Sequence, residues 1–157
     1  MAENIKEGRV SHITSHMPAI SLMAIVFGLL IDNFWNYRFD FPWLETAGVV
    51  FLVLAPMLIF WAQHSSYSTF KTKKVFDVET KDFHVGPYHF IRHPTYLGLF
   101  CLVLGFGFFA HSLSVLILNV IGFMIVNIFI LPREEGVLET KYGEKYLSYK
   151  KETPPWF

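Results

Sequence analysis

The sequence predicts an all-α integral membrane protein with four transmembrane helices, a hairpin between helices three and four, and an amphipathic interfacial helix after them. Three observations carry this expectation. Hydrophobic residues make up 53% of the 157-residue chain and aromatics 18%, against 17% charged, a balance far from that of a soluble domain. The apolar residues gather into three stretches, Met17–Ile31, Ala47–Ala62 and Tyr96–Leu131. The last holds 36 residues without Asp, Glu, Lys or Arg. As one helix it would reach about 54 Å, nearly twice a hydrocarbon core of roughly 30 Å, so it must fold back on itself.

The length suits one domain over 1–157. Helix one, about 17–34, follows a polar lead of about 16 residues without an evident small-x-small cleavage site, and reads as a retained membrane helix rather than a cleaved signal peptide. Helix two covers about 46–63. In the long stretch Ala110-His111-Ser112 is the polar break, giving helices at about 95–110 and 112–132. Gly98, Gly105 and Gly107 let the first arm approach a neighbour closely. Helices one and three are short for a span, which calls for tilt or local thinning. Beyond Pro132, Leu138, Tyr142, Tyr146 and Tyr149 recur at helical spacing with Lys141, Glu144 and Lys145 between them. An amphipathic helix over 133–150 follows, weakened locally at Gly143. The tail Thr153-Pro154-Pro155-Trp156-Phe157 ends helical structure and supplies an interfacial aromatic anchor.

Charge sets the orientation and narrows the function. A formal net charge of zero argues against a nucleic-acid binder, which needs a basic face. Cys101 is the only cysteine, so there is no intrachain disulfide and no cysteine-rich metal site. Two basic residues precede helix one (Lys6, Arg9), one lies between helices one and two (Arg38), and none sits in the hairpin turn. Five lie between helices two and three (Lys71, Lys73, Lys74, Lys81, Arg92) and five follow helix four (Arg133, Lys141, Lys145, Lys150, Lys151). The positive-inside rule then puts both termini and the 63–95 loop on the cytoplasmic side.

Two clusters thereby meet at one membrane surface. The first is Gly86-Pro87-Tyr88-His89-Phe90-Ile91-Arg92-His93-Pro94-Thr95-Tyr96-Leu97-Gly98. Gly86-Pro87 opens a turn and Pro94 disfavours helical geometry at His93, so irregular backbone is expected until helix three starts near Thr95. Such backbone is tolerated at membrane depth where protein buries it or it lines a polar cavity. The second is Arg133-Glu134-Glu135, adjacent carboxylates at the end of helix four, where the helix dipole is already negative. They need a positive partner: Arg92, Arg133 or a cationic ligand. His89 and His93 lie four apart, but the prolines argue against a shared helical face, so no metal site is expected, and His12 and His16 read as interfacial. Asp32 reads as a membrane-exit residue, and Gln63-His64 as an interfacial cap. Gly105-x-Gly107 lies inside an apolar helix and is no dinucleotide fingerprint.

Gly-Pro-Tyr-x-x-x-Arg-His-Pro-x-Tyr-x-Gly, a hydrophobic hairpin, Arg-Glu-Glu, and then Leu138, Tyr142-Gly143-Glu144-Lys145-Tyr146 and Tyr149 resemble the signature of the isoprenylcysteine carboxyl methyltransferase family and its phospholipid methyltransferase relatives. The resemblance spans about 84–157. It implies an S-adenosylmethionine-dependent membrane methyltransferase with its active site on the cytoplasmic side. Its implied cofactor wall is His84, Val85, Gly86, Pro87 and Tyr88, its floor His93, Pro94, Tyr96 and Gly98, and its polar end Glu134 and Glu135. Arg92, Arg133 and Glu135 are the implied catalytic residues, either arginine holding an anionic acceptor beside the methyl group. The acceptor is a lipid-soluble molecule: a prenylated carboxylate, a phospholipid amine or a small hydrophobic thiol or acid. His89 departs from the Arg that many relatives carry, and only two helices precede the motif. Sterol reductases, which use NADPH, share Arg-His-Pro-x-Tyr-x-Gly but are much longer. A non-catalytic membrane ligand sensor is the remaining alternative.

Overall fold

The computed structural model describes residues 16–35, 39, 41–71 and 73–156. The polar lead with Lys6, Arg9 and His12, together with Arg38, Phe157 and the side chain of His16, lies outside them. The described residues are helical, without strands. In order come α1 (His16–Trp35), α2 (Pro42–Phe70), short 3-10 turns at Val75–Asp77, Thr80–Phe83 and Gly86–His89, and α3 (Pro94–Phe109). After them come α4 (Leu113–Ile125), a π segment (Val126–Ile130), α5 (Leu131–Tyr142) and α6 (Glu144–Glu152). Among the described residues, three helices are long and apolar enough to cross a membrane: Pro18–Trp35, Pro42–Phe70 and Leu113–Tyr142. The 16-residue α3 is apolar but shorter.

The hairpin turns at the expected place. Ala110 ends α3, His111 takes a positive φ of 53°, and the Ser112 hydroxyl accepts the Val115 N–H at 3.1 Å to cap α4. Glycine governs the packing of α3 on α2. A Cβ on Gly105 would lie 2.7 Å from Phe51 Cβ and 3.0 Å from the Gly48 carbonyl, and one on Gly98 would meet Ile59 at 2.5 Å. Gly28 sits against Val115 and Gly122 against Ile20, so α1 runs antiparallel along α4. Gly105→Val is therefore expected to force the α2–α3 contact apart at a cost of about 1–3 kcal/mol. Thermal unfolding in detergent measures this, and an unchanged midpoint would show that the helices do not depend on this contact.

Several expectations need correction. Helix two does not stop near residue 63: α2 runs 29 residues to Phe70, because Gln63 to Phe70 is polar but contains no Gly or Pro to break it. Gln63 and His64 are exposed positions within this helix rather than a cap. Pro132 does not end helix four. The Leu131 N–H reaches back to the Val126 carbonyl, and this wider π turn lets the helix pass a residue that offers no N–H of its own. Leu113–Tyr142 is thus one 30-residue helical course, and Glu134 and Glu135 lie inside it rather than at its end. The amphipathic helix expected over 133–150 is cut in two at Gly143, whose φ of 59° no helical residue adopts. Trp156, expected as an interfacial aromatic, is partly buried and packs against the cluster of Tyr96, Val126 and Leu131. Asp32, expected at the membrane exit, is only 4% exposed, and neither carboxylate oxygen has a partner among the described residues.

Candidate functional site

The 3-10 region between α2 and α3 is built to press against its neighbours. Asp82 accepts the Glu79 N–H at 2.8 Å and Lys73 Nζ at 2.6 Å, and the first of these bonds, aided by the second, holds its carboxyl below the usual range. Gly86 has a φ of 53°, and a Cβ there would collide with the Ser65 side chain of α2. Only glycine meets both demands. The turn then buries Pro87 and Ile91, and Tyr149 of α6 donates its hydroxyl to the Tyr88 carbonyl at 2.8 Å. His93 is the residue ahead of α3, with Pro94 in the first turn, where a missing N–H costs nothing.

A cavity of about 280 Å³ opens between these parts. Ser66 and Phe70 of α2, Phe83, Tyr88 and Arg92 of the loop, and His93, Thr95 and Tyr96 at the start of α3 form one side. Glu134, Leu138 and Tyr142 of α5 with Tyr146 and Tyr149 of α6 form the other. The aromatic wall is continuous: Phe83 packs against Tyr142, Tyr146 and Tyr149 with ring centroids 5.2, 5.5 and 5.4 Å away. Burial pushes the Tyr146 and Tyr149 phenols well up, so both stay neutral.

The two adjacent carboxylates have different surroundings. Glu135 is buried and accepts from three side chains: the cations Arg92 Nη1 at 2.5 Å and Lys150 Nζ at 2.7 Å, and the His93 ring through Nε2 at 3.1 Å. Lys150 also reaches Glu139 at 2.7 Å, and its two carboxylate partners raise its ammonium above the usual lysine range. Glu134 faces the cavity, where the Tyr96 hydroxyl donates to it, and it has no ion pair among the described residues. One polar donor is also left over. Arg92 Nε is buried without an acceptor. The site therefore holds a carboxylate lacking a cation and a guanidinium N–H lacking an acceptor.

Of the residues singled out from sequence, Tyr88, Arg92, His93, Tyr96 and Glu134 meet at the cavity, with Glu135 directly behind them. Gly86, Pro87 and Val85 shape the loop backbone. His84 stands outside, its ring edge-on to Tyr149 at 4.9 Å and Nε2 3.3 Å from Glu152. Pro94 is buried, and Gly98 serves the α2–α3 contact. Arg133 is exposed and makes no ion pair among the described residues. Sequence reading overlooked Ser66, Phe70, Phe83, Thr95 and Lys150. The tyrosine stripe of Tyr142, Tyr146 and Tyr149 was visible as a helical face, but not as a cavity wall.

Compared with known proteins, residues 43–145 match the phospholipid methyltransferase family. Neither the curated proteins nor the solved structures give a match.

Proposed function

The chain belongs to the phospholipid methyltransferase family, and from that premise we propose that this integral membrane protein uses S-adenosylmethionine to methylate the amine of a lipid headgroup in the tyrosine-walled cavity. The observation that carries the reading is Glu134, a carboxylate facing an aromatic cavity with no cationic partner among the described residues. Such a group attracts a cation, and the faces of Tyr88 and Tyr96 add to that attraction. When bound, S-adenosylmethionine supplies an electrophilic methyl group on a positive sulfur, together with an ammonium and a carboxylate. The donor set fits it: Glu134 for positive charge, and the hydroxyls of Ser66, Thr95 and Tyr146 for the carboxylate and the polar edges.

Glu135 takes no direct part in this reading. It holds Arg92 and His93 in place, while Gly86 and Pro87 fix the loop that carries Tyr88. Arg92, His93 and Lys150 are all turned on Glu135, and Arg133 is exposed and does not line the cavity, which leaves no cation committed to an anionic acceptor. That favours an amine, attacking as its free base, over a prenylated carboxylate or a thiolate. Methyl transfer needs nitrogen, carbon and sulfur in line, so a cavity that orients both reactants supplies much of the rate. In the membrane, α3 is proposed as a fourth crossing at which the bilayer thins locally, because its 16 residues reach only about 24 Å. The basic residues then put the cavity on the cytoplasmic side.

The test is calorimetric titration of the detergent-purified protein with S-adenosylhomocysteine, with NADPH as comparison, then methyl incorporation into vesicles containing phosphatidylethanolamine. Saturable S-adenosylhomocysteine binding and labelled lipid are expected. Binding of NADPH in its place would overturn the methyltransferase reading; turnover on a prenylated carboxylate and not on the amine lipid would overturn the acceptor alone.

A further inference from the structure

Residues 153–156 leave α6 and fold back beside the ionic cluster, touching it at two places and the π segment at a third. The Pro154 carbonyl accepts the Arg92 N–H at 3.0 Å. Trp156 sets its ring 6.0 Å from that of His93 and 5.0 Å from that of Phe123. Its Nε1–H donates to Asn127 Oδ1 at 2.7 Å. Asn127 belongs to the π segment, and its Nδ2 donates to the Phe123 carbonyl at 2.8 Å, which fixes the amide so that Oδ1 points at the indole. Thr153 is buried and ties its N–H to the Tyr149 carbonyl at 3.0 Å. Between these anchors stand two prolines, whose restricted φ lets little of a displacement at Trp156 be absorbed before it reaches the Pro154 carbonyl.

From this geometry we infer that the segment is a strap, and that Trp156 and Asn127 are positioning residues that set the Arg92 backbone and the His93 ring for the cavity. The π segment makes the arrangement possible, since it carries Asn127 to the indole on one side of Pro132 while Glu134 and Glu135 follow on the other. Neither Trp156 nor Asn127 lines the cavity, so they act on a bound ligand only through Arg92 and His93. The strap itself stands on the contacts above; its effect on ligand affinity rests on the methyltransferase reading.

The test uses the full chain in detergent with Trp156→Phe, which keeps a ring and loses the N–H, with Asn127→Leu, and with both together. Two readouts are taken: hydrogen exchange at the Arg92 amide, and the affinity for S-adenosylhomocysteine. Losing the bond strands one polar partner, an effect of about tenfold. Each single change is expected to speed Arg92 exchange and weaken binding by about that factor, and the double to do no worse than the more affected single, because one bond is being removed twice. Unchanged Arg92 exchange in both singles, or effects that multiply in the double, would overturn the strap. If the wild type fails to bind S-adenosylhomocysteine, the exchange results still decide the strap, and the methyltransferase reading alone falls.

Discussion

Glu135→Ala is expected to lower the melting temperature of the detergent-purified protein by on the order of 10 °C, and to remove S-adenosylhomocysteine binding with it. The carboxylate is the common acceptor of Arg92, His93 and Lys150, and the side chains of Arg92 and Glu135 are only 9% and 11% exposed. Stripping one partner from a buried pair leaves the other charge uncompensated, which costs about 3–5 kcal/mol. In a chain of this size each kcal/mol moves the midpoint by roughly 2–4 °C. Lys150 contributes little to this loss, being more exposed and held also by Glu139. Arg92→Met with Glu135→Leu should regain part of the stability, because replacing a whole buried pair by apolar side chains is far less costly than breaking it. Binding should not return with it, since the guanidinium is gone. A Glu135→Ala protein that melts with the wild type would show that the cluster does not hold the loop to α5.

The parts of this molecule that could be read in advance are those governed by local rules. An uncharged stretch too long for one crossing had to turn, and His111 is where it does. Gly98 and Gly105 announced a close helix contact before its partner, α2, was identified. The loop carrying Tyr88, Arg92 and His93 and the pair Glu134-Glu135 were recognisable because Gly, Pro and paired charges in apolar surroundings are conspicuous. What stayed hidden depends on tertiary geometry. A proline normally ends a helix, and only the π turn, which leaves no mark in composition, carries the chain through Pro132. Lys150 lies beyond the Gly143 break, so helical spacing cannot relate it to Glu135. Polarity misplaced the end of α2, since a helix leaving the membrane changes composition without changing conformation, and Ser66 and Phe70 were lost with it. The bond from Trp156 to Asn127 stayed hidden too, because nothing in the sequence links the two.

Glu134→Gln separates binding from architecture more sharply than any other change. The glutamine has the same shape and still accepts the Tyr96 hydroxyl, so the melting temperature should stay close to that of the wild type. What disappears is the negative charge in an aromatic cavity. Losing one partner of a desolvated charge pair costs about 2–5 kcal/mol, and in the proposed function that cost falls on the bound cation. Methyl transfer to phosphatidylethanolamine vesicles is therefore expected to drop roughly 100-fold in kcat/KM, each 1.4 kcal/mol being a factor of ten. Tyr96→Phe supplies the contrast: the carboxylate remains and only one hydrogen bond is lost, so activity should fall about tenfold or less. The two adjacent carboxylates then give opposite signatures, Glu135→Ala damaging stability and binding together and Glu134→Gln damaging turnover in a protein that melts normally. If Glu134→Gln turned over at the wild-type rate, the cation would have to be held elsewhere, and the tyrosine-walled cavity would lose its claim to be the reaction site.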